Sequence, residues 1–198
     1  MNLIAKTLTA AALSLVAGVA SASTVTINFS VTNLTGSGLG YLGLSSNDTI
    51  TGSYSYEIEP GRTGSSSTNR YSYSYAWDYM DDVSLNAGRA RGSSPSSSNY
   101  FQVLDGTADR RSNIYDQQYA NGYDVLNGSA GIVDSYFYLS SFDFDETSFS
   151  GLNPTVSELN ALENDRFYLW FRANNQNYFV HGYAASYAAI PLPASALL

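Results

Sequence analysis

The sequence predicts an all-β domain, an antiparallel β-sandwich of jelly-roll-like form with one short helix near residues 156–164. Three observations lead to this prediction. Polar and apolar side chains alternate with a period of two over much of the chain. Segments rich in Gly, Ser and Asn interrupt the alternation at short intervals, as surface turns do. The chain has 198 residues, 44% of them hydrophobic, which is enough to bury the core of one sandwich.

The alternating runs define the predicted strands. The first run covers residues 24–31, and two more place aromatic rings on one face and small polar or acidic groups on the other. The rings of these two runs are Tyr54, Tyr56, Tyr71, Tyr73, Tyr75 and Trp77. Residues 134–144 carry bulky side chains on both faces, which is typical of a central strand covered on both sides.

The run 165–173 is predicted to be a half-buried strand with an aromatic outer surface. Its apolar residues Phe167, Leu169 and Phe171 fall on one face. The other face carries Arg166, Tyr168, Trp170 and Arg172. Residues 174–176, Asn-Asn-Gln, tolerate the positive φ of a tight turn, so residues 177–187 are predicted to return as the hairpin partner.

The breaks between the runs are predicted to be surface loops, and one segment is predicted to be helical. The loops are Gly36–Gly43, Pro60–Asn69 and Gly88–Asn99. Thr155 and Glu158 have the spacing of a capping box and follow a proline, which predicts a helix over Val156–Asn164.

Charge and cysteine content exclude several classes of function. The chain has 9 basic and 17 acidic residues and a formal net charge of −8, so we predict no nucleic-acid partner. The absence of cysteine excludes disulfide scaffolds, thiolate zinc sites, iron–sulfur clusters and thiol nucleophiles.

The N-terminus has the pattern of a secretory signal. Lys6 supplies the positive charge, residues 8–19 are a short apolar run, and Ala20 and Ala22 form a small-x-small cleavage site. The apolar run is too short to cross a bilayer, so we predict no membrane span in this sequence. Residues 1–22 are therefore predicted to be removed, leaving a β-sandwich domain over 23–187 and a tail over 188–198.

The tail resembles the VPLPA variant of the PEP-CTERM sorting signal of secreted bacterial proteins. The residues that carry the resemblance are Ile190, Pro191, Leu192, Pro193 and Ala194, with Ile in place of Val. Residues 44–56, and the pair 167–171 with 180–182, are also similar to recurring segments of that class. The resemblance implies export to the envelope and an exosortase-type processing enzyme as a partner. The family's apolar span and basic cluster do not follow Leu198, and we expect that the sequence is truncated there.

No catalytic residue is predicted. His181 is the single histidine, no Gly-x-Ser-x-Gly elbow occurs, and the flanking Val180 and Gly182 fit an ordinary strand, so we interpret His181 as structural. Glycoside hydrolysis needs two carboxyl groups about 5–10 Å apart, and two carboxylate pairs are spaced to share a strand face about 7 Å from each other. These pairs are Glu57 with Glu59 and Asp143 with Asp145. Because acidic groups at strand ends are usually solvated, we predict that the protein is not an enzyme.

A calcium site is the one cofactor hypothesis, since secreted acidic domains meet calcium and oxygen ligands suffice to bind it. Its main candidate ligands are Asp143, Asp145 and Glu146, and a second acidic cluster contains Asp78, Asp81 and Asp82. They lack the twelve-residue EF-hand pattern, so a solvated acidic loop is the alternative.

We therefore predict a non-catalytic secreted protein of the bacterial cell surface or extracellular matrix. The alternative is a carbohydrate-binding module that takes an extracellular polysaccharide. Flat aromatic faces stack on sugars while nearby polar groups orient hydroxyls, and Tyr168 and Trp170 lie between Arg166 and Arg172. The alternating rings of residues 71–77 are a second candidate stacking surface. These aromatics have a simpler interpretation, in which they fill the second face of the sandwich.

Overall fold

The computed structural model describes most of the chain between residues 25 and 189. The described ranges are 25–56, 62–67, 71–80, 82–94, 99–108, 116–143, 149–152 and 154–189. Within them the chain forms two antiparallel sheets and two short helices, which confirms the predicted all-β sandwich.

The elements follow one another in this order along the chain. The first part contains β1 Val25–Thr32, α1 Gly38–Leu42, β2 Ile50–Tyr56, β3 Thr63–Ser67, β4 Tyr71–Tyr79, β5 Val83–Ala87 and β6 Ala90–Ser94. The second part contains β7 Tyr100–Ala108, β8 Asp116–Tyr123, β9 Ile132–Asp143, α2 Val156–Ala161, β10 Asn164–Ala173, β11 Gln176–Gly182 and β12 Ala184–Ala189.

The smaller sheet has five strands in the order β12-β1-β2-β5-β6, and the larger has seven in the order β11-β10-β9-β8-β7-β4-β3. Five successive strands, β7 to β11, form a meander, so the larger sheet is simpler in connection than a strict jelly roll. The first and last described strands are neighbours, because β1 pairs with β12 with Phe29 opposite Tyr187.

The core lies between the sheets and is built from the inward positions of both. The rings of Phe29 and Phe137 meet across the two sheets with centroids 6.0 Å apart. Each ring lies over a glycine on a neighbouring strand: a Cβ at Gly52 would stand 2.4 Å from the Phe29 ring, and a Cβ at Gly122 would stand 2.2 Å from Phe137. Tyr56 also stacks on the opposite sheet, where its ring is 3.8 Å from that of Phe101.

The predicted helix is confirmed as α2, although it ends at Ala161 rather than Asn164. Thr155 Oγ1 accepts a hydrogen bond from the Glu158 N–H at 3.2 Å, and the Glu158 carboxylate accepts one from the Thr155 N–H at 2.6 Å. This is the capping box that the sequence indicates. Asn164 instead begins β10, because Phe167 and the residues two and four places after it must face the core.

Helix α1 lies in the segment Gly36–Gly43, which was predicted to be a loop. Leu42 is fully buried, and a Cβ at Gly38 would meet the Phe171 ring at 2.8 Å and Val180 at 2.9 Å. The turn is therefore held by packing against β10 and β11, and only a glycine fits at position 38. Gly43 ends the helix with a left-handed φ of 70°.

Four further features differ from the prediction. Strand β3 lies inside the predicted loop Pro60–Asn69, and β6 lies inside the predicted loop Gly88–Asn99. Both are short, Ser- and Gly-rich strands held by pairing to β4 and β5. The predicted hairpin partner 177–187 divides at Tyr183, because β11 pairs with β10 whereas β12 crosses to β1 in the other sheet. Strand β12 also runs to Ala189, two residues into the segment expected to be tail.

Side-chain amides and carboxylates occupy the outer edge of β12. The Asn160 amide donates to the Tyr187 carbonyl at 2.9 Å and accepts from the Tyr187 N–H at 2.8 Å. Asp165 accepts from the Ala185 N–H at 2.7 Å and from the Ser141 hydroxyl, which also contacts the Tyr187 hydroxyl. These bonds tie β12 to α2 and to the larger sheet.

Candidate functional site

The outer surface of the seven-stranded sheet carries a continuous set of aromatic rings. Phe167, Leu169 and Phe171 of β10 are buried, so the alternating residues Tyr168 and Trp170 lie on the opposite side of the sheet, away from the core. Neighbouring strands add rings at positions in register with these two. We call this surface the aromatic face, and its residues are Trp77, Tyr79, Tyr100, Tyr119, Tyr123, Tyr136, Tyr138, Tyr168, Trp170 and Phe179.

The registers place several of these rings in one row that crosses six strands. The row runs through Tyr79, Tyr100, Asn121, Tyr138, Tyr168 and His181. Because neighbouring strands lie about 4.8 Å apart, the row is about 24 Å long. A shorter row beside it contains Tyr123, Tyr136, Trp170 and Phe179. The aromatic face is therefore an elongated surface and not a pocket.

The rings of the aromatic face pack against one another within, between and beside these rows. The Tyr168 ring lies 5.5 Å from Tyr138 and 6.0 Å from Phe179, measured between centroids. Tyr119 lies 5.8 Å from Tyr138 and 5.7 Å from Tyr100. These are the separations of favourable aromatic pairs. Packing against a neighbouring ring restricts the rotation of Tyr79 and Phe179 and still leaves 45% and 38% of these residues exposed.

Hydroxyl and amide groups lie between the rings. The Tyr136 hydroxyl donates to Asn121 Oδ1 at 2.9 Å, and its oxygen is 3.4 Å from that of Tyr119. Partial burial raises the pKa of Tyr136, with the Tyr119 hydroxyl contributing. Burial, again with Tyr119, raises the pKa of Tyr100 to about 12. These hydroxyls are therefore neutral at physiological pH and can both donate and accept hydrogen bonds.

Arginines border the aromatic face. The Arg62 guanidinium lies over Trp77 and Tyr79, 5.4 Å and 5.1 Å from the ring centroids. The Arg166 guanidinium lies 5.1 Å from the Phe142 ring centroid, and Arg172 lies 3.5 Å from the Asp134 carboxylate. The side chains of Arg166 and Arg172 are exposed.

The outer surface of the five-stranded sheet has a different character. It forms a groove of about 550 Å³. Small hydroxyls there pair with each other, Ser30 with Ser186 and Ser53 with Ser84, both at 2.7 Å between oxygens. Exposed Arg91 lines one part of the groove. Because the aromatic residues that border it, Phe29 and Tyr187, are buried in the core, this groove offers hydrogen bonds but no stacking surface.

The structure brings together the four residues that the sequence singled out for sugar binding. Tyr168 and Trp170 are partly exposed on the aromatic face, and Arg166 and Arg172 lie on the same side of β10. They do not fill a second core. The sequence did not identify Tyr136 and Tyr138 as part of the same surface, since their alternation in β9 is visible but the register that places them beside Tyr168 is not.

The histidine lies at one end of the longer row. The His181 ring is 5.1 Å from that of Tyr168 and stacks at 6.4 Å on Tyr183. Its backbone N–H donates to the Thr35 carbonyl at 2.8 Å. Within the described ranges, the imidazole makes ring contacts and no hydrogen bond to a serine or a carboxylate.

Of the main candidate calcium ligands, only Asp143 lies in the described part of the chain. Asp143 ends β9 and is 8% exposed, whereas Asp145 and Glu146 lie outside the described residues. A search of the described side chains finds no group of three or more His, Cys, Asp or Glu arranged to hold a metal ion.

Several other candidates also lie outside the described ranges. They are Glu57, Glu59, the cleavage site with Ala20 and Ala22, and the sorting motif Ile190–Ala194. Among the residues that are described, no helix has both the length and the apolar character needed to cross a membrane. Comparison of the chain with protein-family models, curated proteins and solved structures finds no match.

Proposed function

We propose that this protein is a non-catalytic domain, secreted to the bacterial cell surface or extracellular matrix, that binds polysaccharide through its aromatic face. Export is supported by the signal-like residues 1–22 and by the sorting motif at 190–194, which would bring an exosortase-type enzyme to the full tail. Native protein found in the cytoplasm with Met1 still attached would contradict this location.

The observation that carries the binding proposal is the row that crosses six strands, five of which contribute a partly exposed ring. Ring faces stack on the CH surfaces of sugars, and the hydroxyls and amides between the rings match sugar hydroxyls. The longer row contains no aliphatic side chain, so its contacts with a ligand would come from ring faces, hydroxyls and an amide. A row about 24 Å long suits a polymer better than a single sugar.

Affinity electrophoresis through gels that contain soluble polysaccharides tests this function. We expect retardation of the protein by at least one polymer. Trp170→Ala should weaken that binding about 2- to 10-fold, as the loss of one aromatic contact does, while Trp170→Phe should retain most of it.

Thr51→Ala is the control, because Thr51 lies on the groove of the other sheet. It should bind like the unmodified protein. If no polysaccharide retards the protein, or if Thr51→Ala weakens binding as much as Trp170→Ala does, the assignment of the aromatic face to polysaccharide is wrong.

A further inference from the structure

The ionised side chains of the aromatic face have the opposite balance to the chain as a whole. The chain has 17 acidic and 9 basic residues. Among the described positions on the outer side of the seven-stranded sheet, the cations are Arg62, Arg166 and Arg172, and the anion is Asp134. An acidic protein that concentrates arginines on one surface attracts anions to that surface, since charges beyond about 8–10 Å are screened at physiological ionic strength.

We propose that the ligand of the aromatic face is an acidic polysaccharide, whose carboxylate or sulfate groups pair with these arginines while its sugar rings stack on the aromatic side chains. This inference rests on the proposed function and specifies the class of polymer. A guanidinium presents a planar fork of donors that matches a carboxylate or a sulfate. Neutral polysaccharides would use the stacking surface but leave the arginines without a ligand partner.

The positions of the arginines fit a chain that carries repeated charges. Arg166 and Arg172 lie at opposite ends of the outward side of β10, with Tyr168 and Trp170 between them. Six residues of extended strand separate their Cα atoms by about 20 Å. Arg62 lies on the opposite border of the face, over Trp77 and Tyr79. An extended polymer on the rings therefore meets positive charge at more than one point.

Arg166 and Arg172 are also available to a ligand. Arg172 contacts Asp134 at 3.5 Å, with about half of the Arg172 side chain exposed, so this is a loose surface pair that a ligand carboxylate can replace. Arg166 is exposed and is oriented by its contact with the Phe142 ring. In contrast, Arg91 lies on the other sheet, away from the rings.

The test compares polygalacturonate with its fully methyl-esterified form, which has the same backbone without the charge, and adds alginate as a second polyuronate. We expect polyuronate binding that is at least 10-fold tighter than binding to the ester and that weakens as salt is raised. Arg166→Gln and Arg172→Gln should each weaken polyuronate binding several-fold and leave binding to the ester unchanged.

Arg91→Gln is the matched control, because it makes the same change of charge on the opposite surface; it should bind polyuronate normally. Trp170→Ala should weaken binding to both forms of the polymer. Equal binding of the polyuronate and the ester, or binding to neutral polymers alone, would overturn the acidic ligand and leave the proposed function intact. Retention by no polymer would overturn both. Single-stranded DNA that displaces the polyuronates at lower concentration would also overturn the inference.

Discussion

At the scale of single residues, the core contains some buried polar groups that have a hydrogen-bond partner and others that have none. Within the described part of the chain, the hydroxyls of Tyr54 and Tyr56 and the amide of Gln118 are buried without a hydrogen-bond partner. The Tyr187 hydroxyl, by comparison, contacts Ser141. Burial raises the pKa of all three tyrosines, so their hydroxyls stay protonated. A buried unpaired hydroxyl lowers stability, whereas a paired one does not.

This difference predicts opposite effects for two equivalent substitutions. Tyr56→Phe should leave the free energy of unfolding unchanged or raise it by up to about 1 kcal/mol, because it removes an unpaired polar group. Tyr187→Phe should lower it by about 1 kcal/mol, because it breaks a buried hydrogen bond. Urea unfolding of both variants measures the difference. A clear loss of stability in Tyr56→Phe would mean that its hydroxyl has a partner.

The candidate site illustrates what single residues reveal in a sequence. Alternation alone predicts that Tyr168 and Trp170 face away from Phe167 and Leu169, and the structure agrees. The rows do not follow from any one strand, because Tyr138 joins Tyr168 only through the pairing of β9 with β10. Register depends on contacts that are distant in sequence, so the rest of the aromatic face is visible only in the fold.

At the scale of elements, the start of α2 was predicted accurately because its signals are local. Thr155 and Glu158 form the capping box within one turn. Strands β3 and β6 were missed for the opposite reason: their Ser- and Gly-rich sequences have weak strand propensity, and pairing with β4 and β5 supplies the order. The division of 177–187 into two strands also has no local signal, because it depends on a contact that is distant in sequence. A Cβ at Gly182 would stand 2.2 Å from the Val31 side chain, so a glycine is required where β11 ends.

The capping box makes the stability of α2 depend on pH. Hydrogen bonds to the Glu158 carboxylate from Ser150 and Thr155 lower its pKa from 4.5 to about 2. A lowered folded-state pKa stabilises the native state above pH 4.5, and this contribution is lost as the pH falls from 4.5 to about 2. The unmodified protein should therefore lose stability over this interval, and the Glu158→Gln variant should lose less. Thermal unfolding of both proteins at a series of pH values measures the difference.

Thr155→Ala provides the comparison for this prediction. It removes the hydroxyl that accepts the Glu158 N–H, so the free energy of unfolding at neutral pH should fall by about 1 kcal/mol. The pH dependence that comes from the hydrogen bond between Ser150 and the Glu158 carboxylate remains. If Glu158→Gln lost stability between pH 4.5 and 2 as steeply as the unmodified protein does, the carboxylate would not be the group responsible.

At the scale of the whole molecule, the two sheets share a single core. The buried cluster includes Ile27 and Leu85 from the smaller sheet and Val103 and Leu169 from the larger one. The pairing of β1 with β12 also joins the two ends of the described chain. Unfolding of either sheet would therefore expose the apolar face of the other.

We predict that the molecule unfolds in one cooperative transition. Far-ultraviolet circular dichroism, which reports the sheets, and Trp fluorescence, which reports Trp77 and Trp170 on the larger sheet, should give coincident curves in urea. A fluorescence transition that precedes the loss of sheet signal would indicate that the larger sheet unfolds separately.

The bonds on the outer edge of β12 have a consequence for solubility. A bare edge strand offers alternate N–H and C=O groups to any extended chain that meets it, which is the first step in building a fibril. In this protein Asn160 takes both groups of Tyr187, and Asp165 takes the N–H of Ala185. These two side chains occupy hydrogen-bonding positions that a further strand would use, so copies of the protein cannot pair with one another along this part of β12.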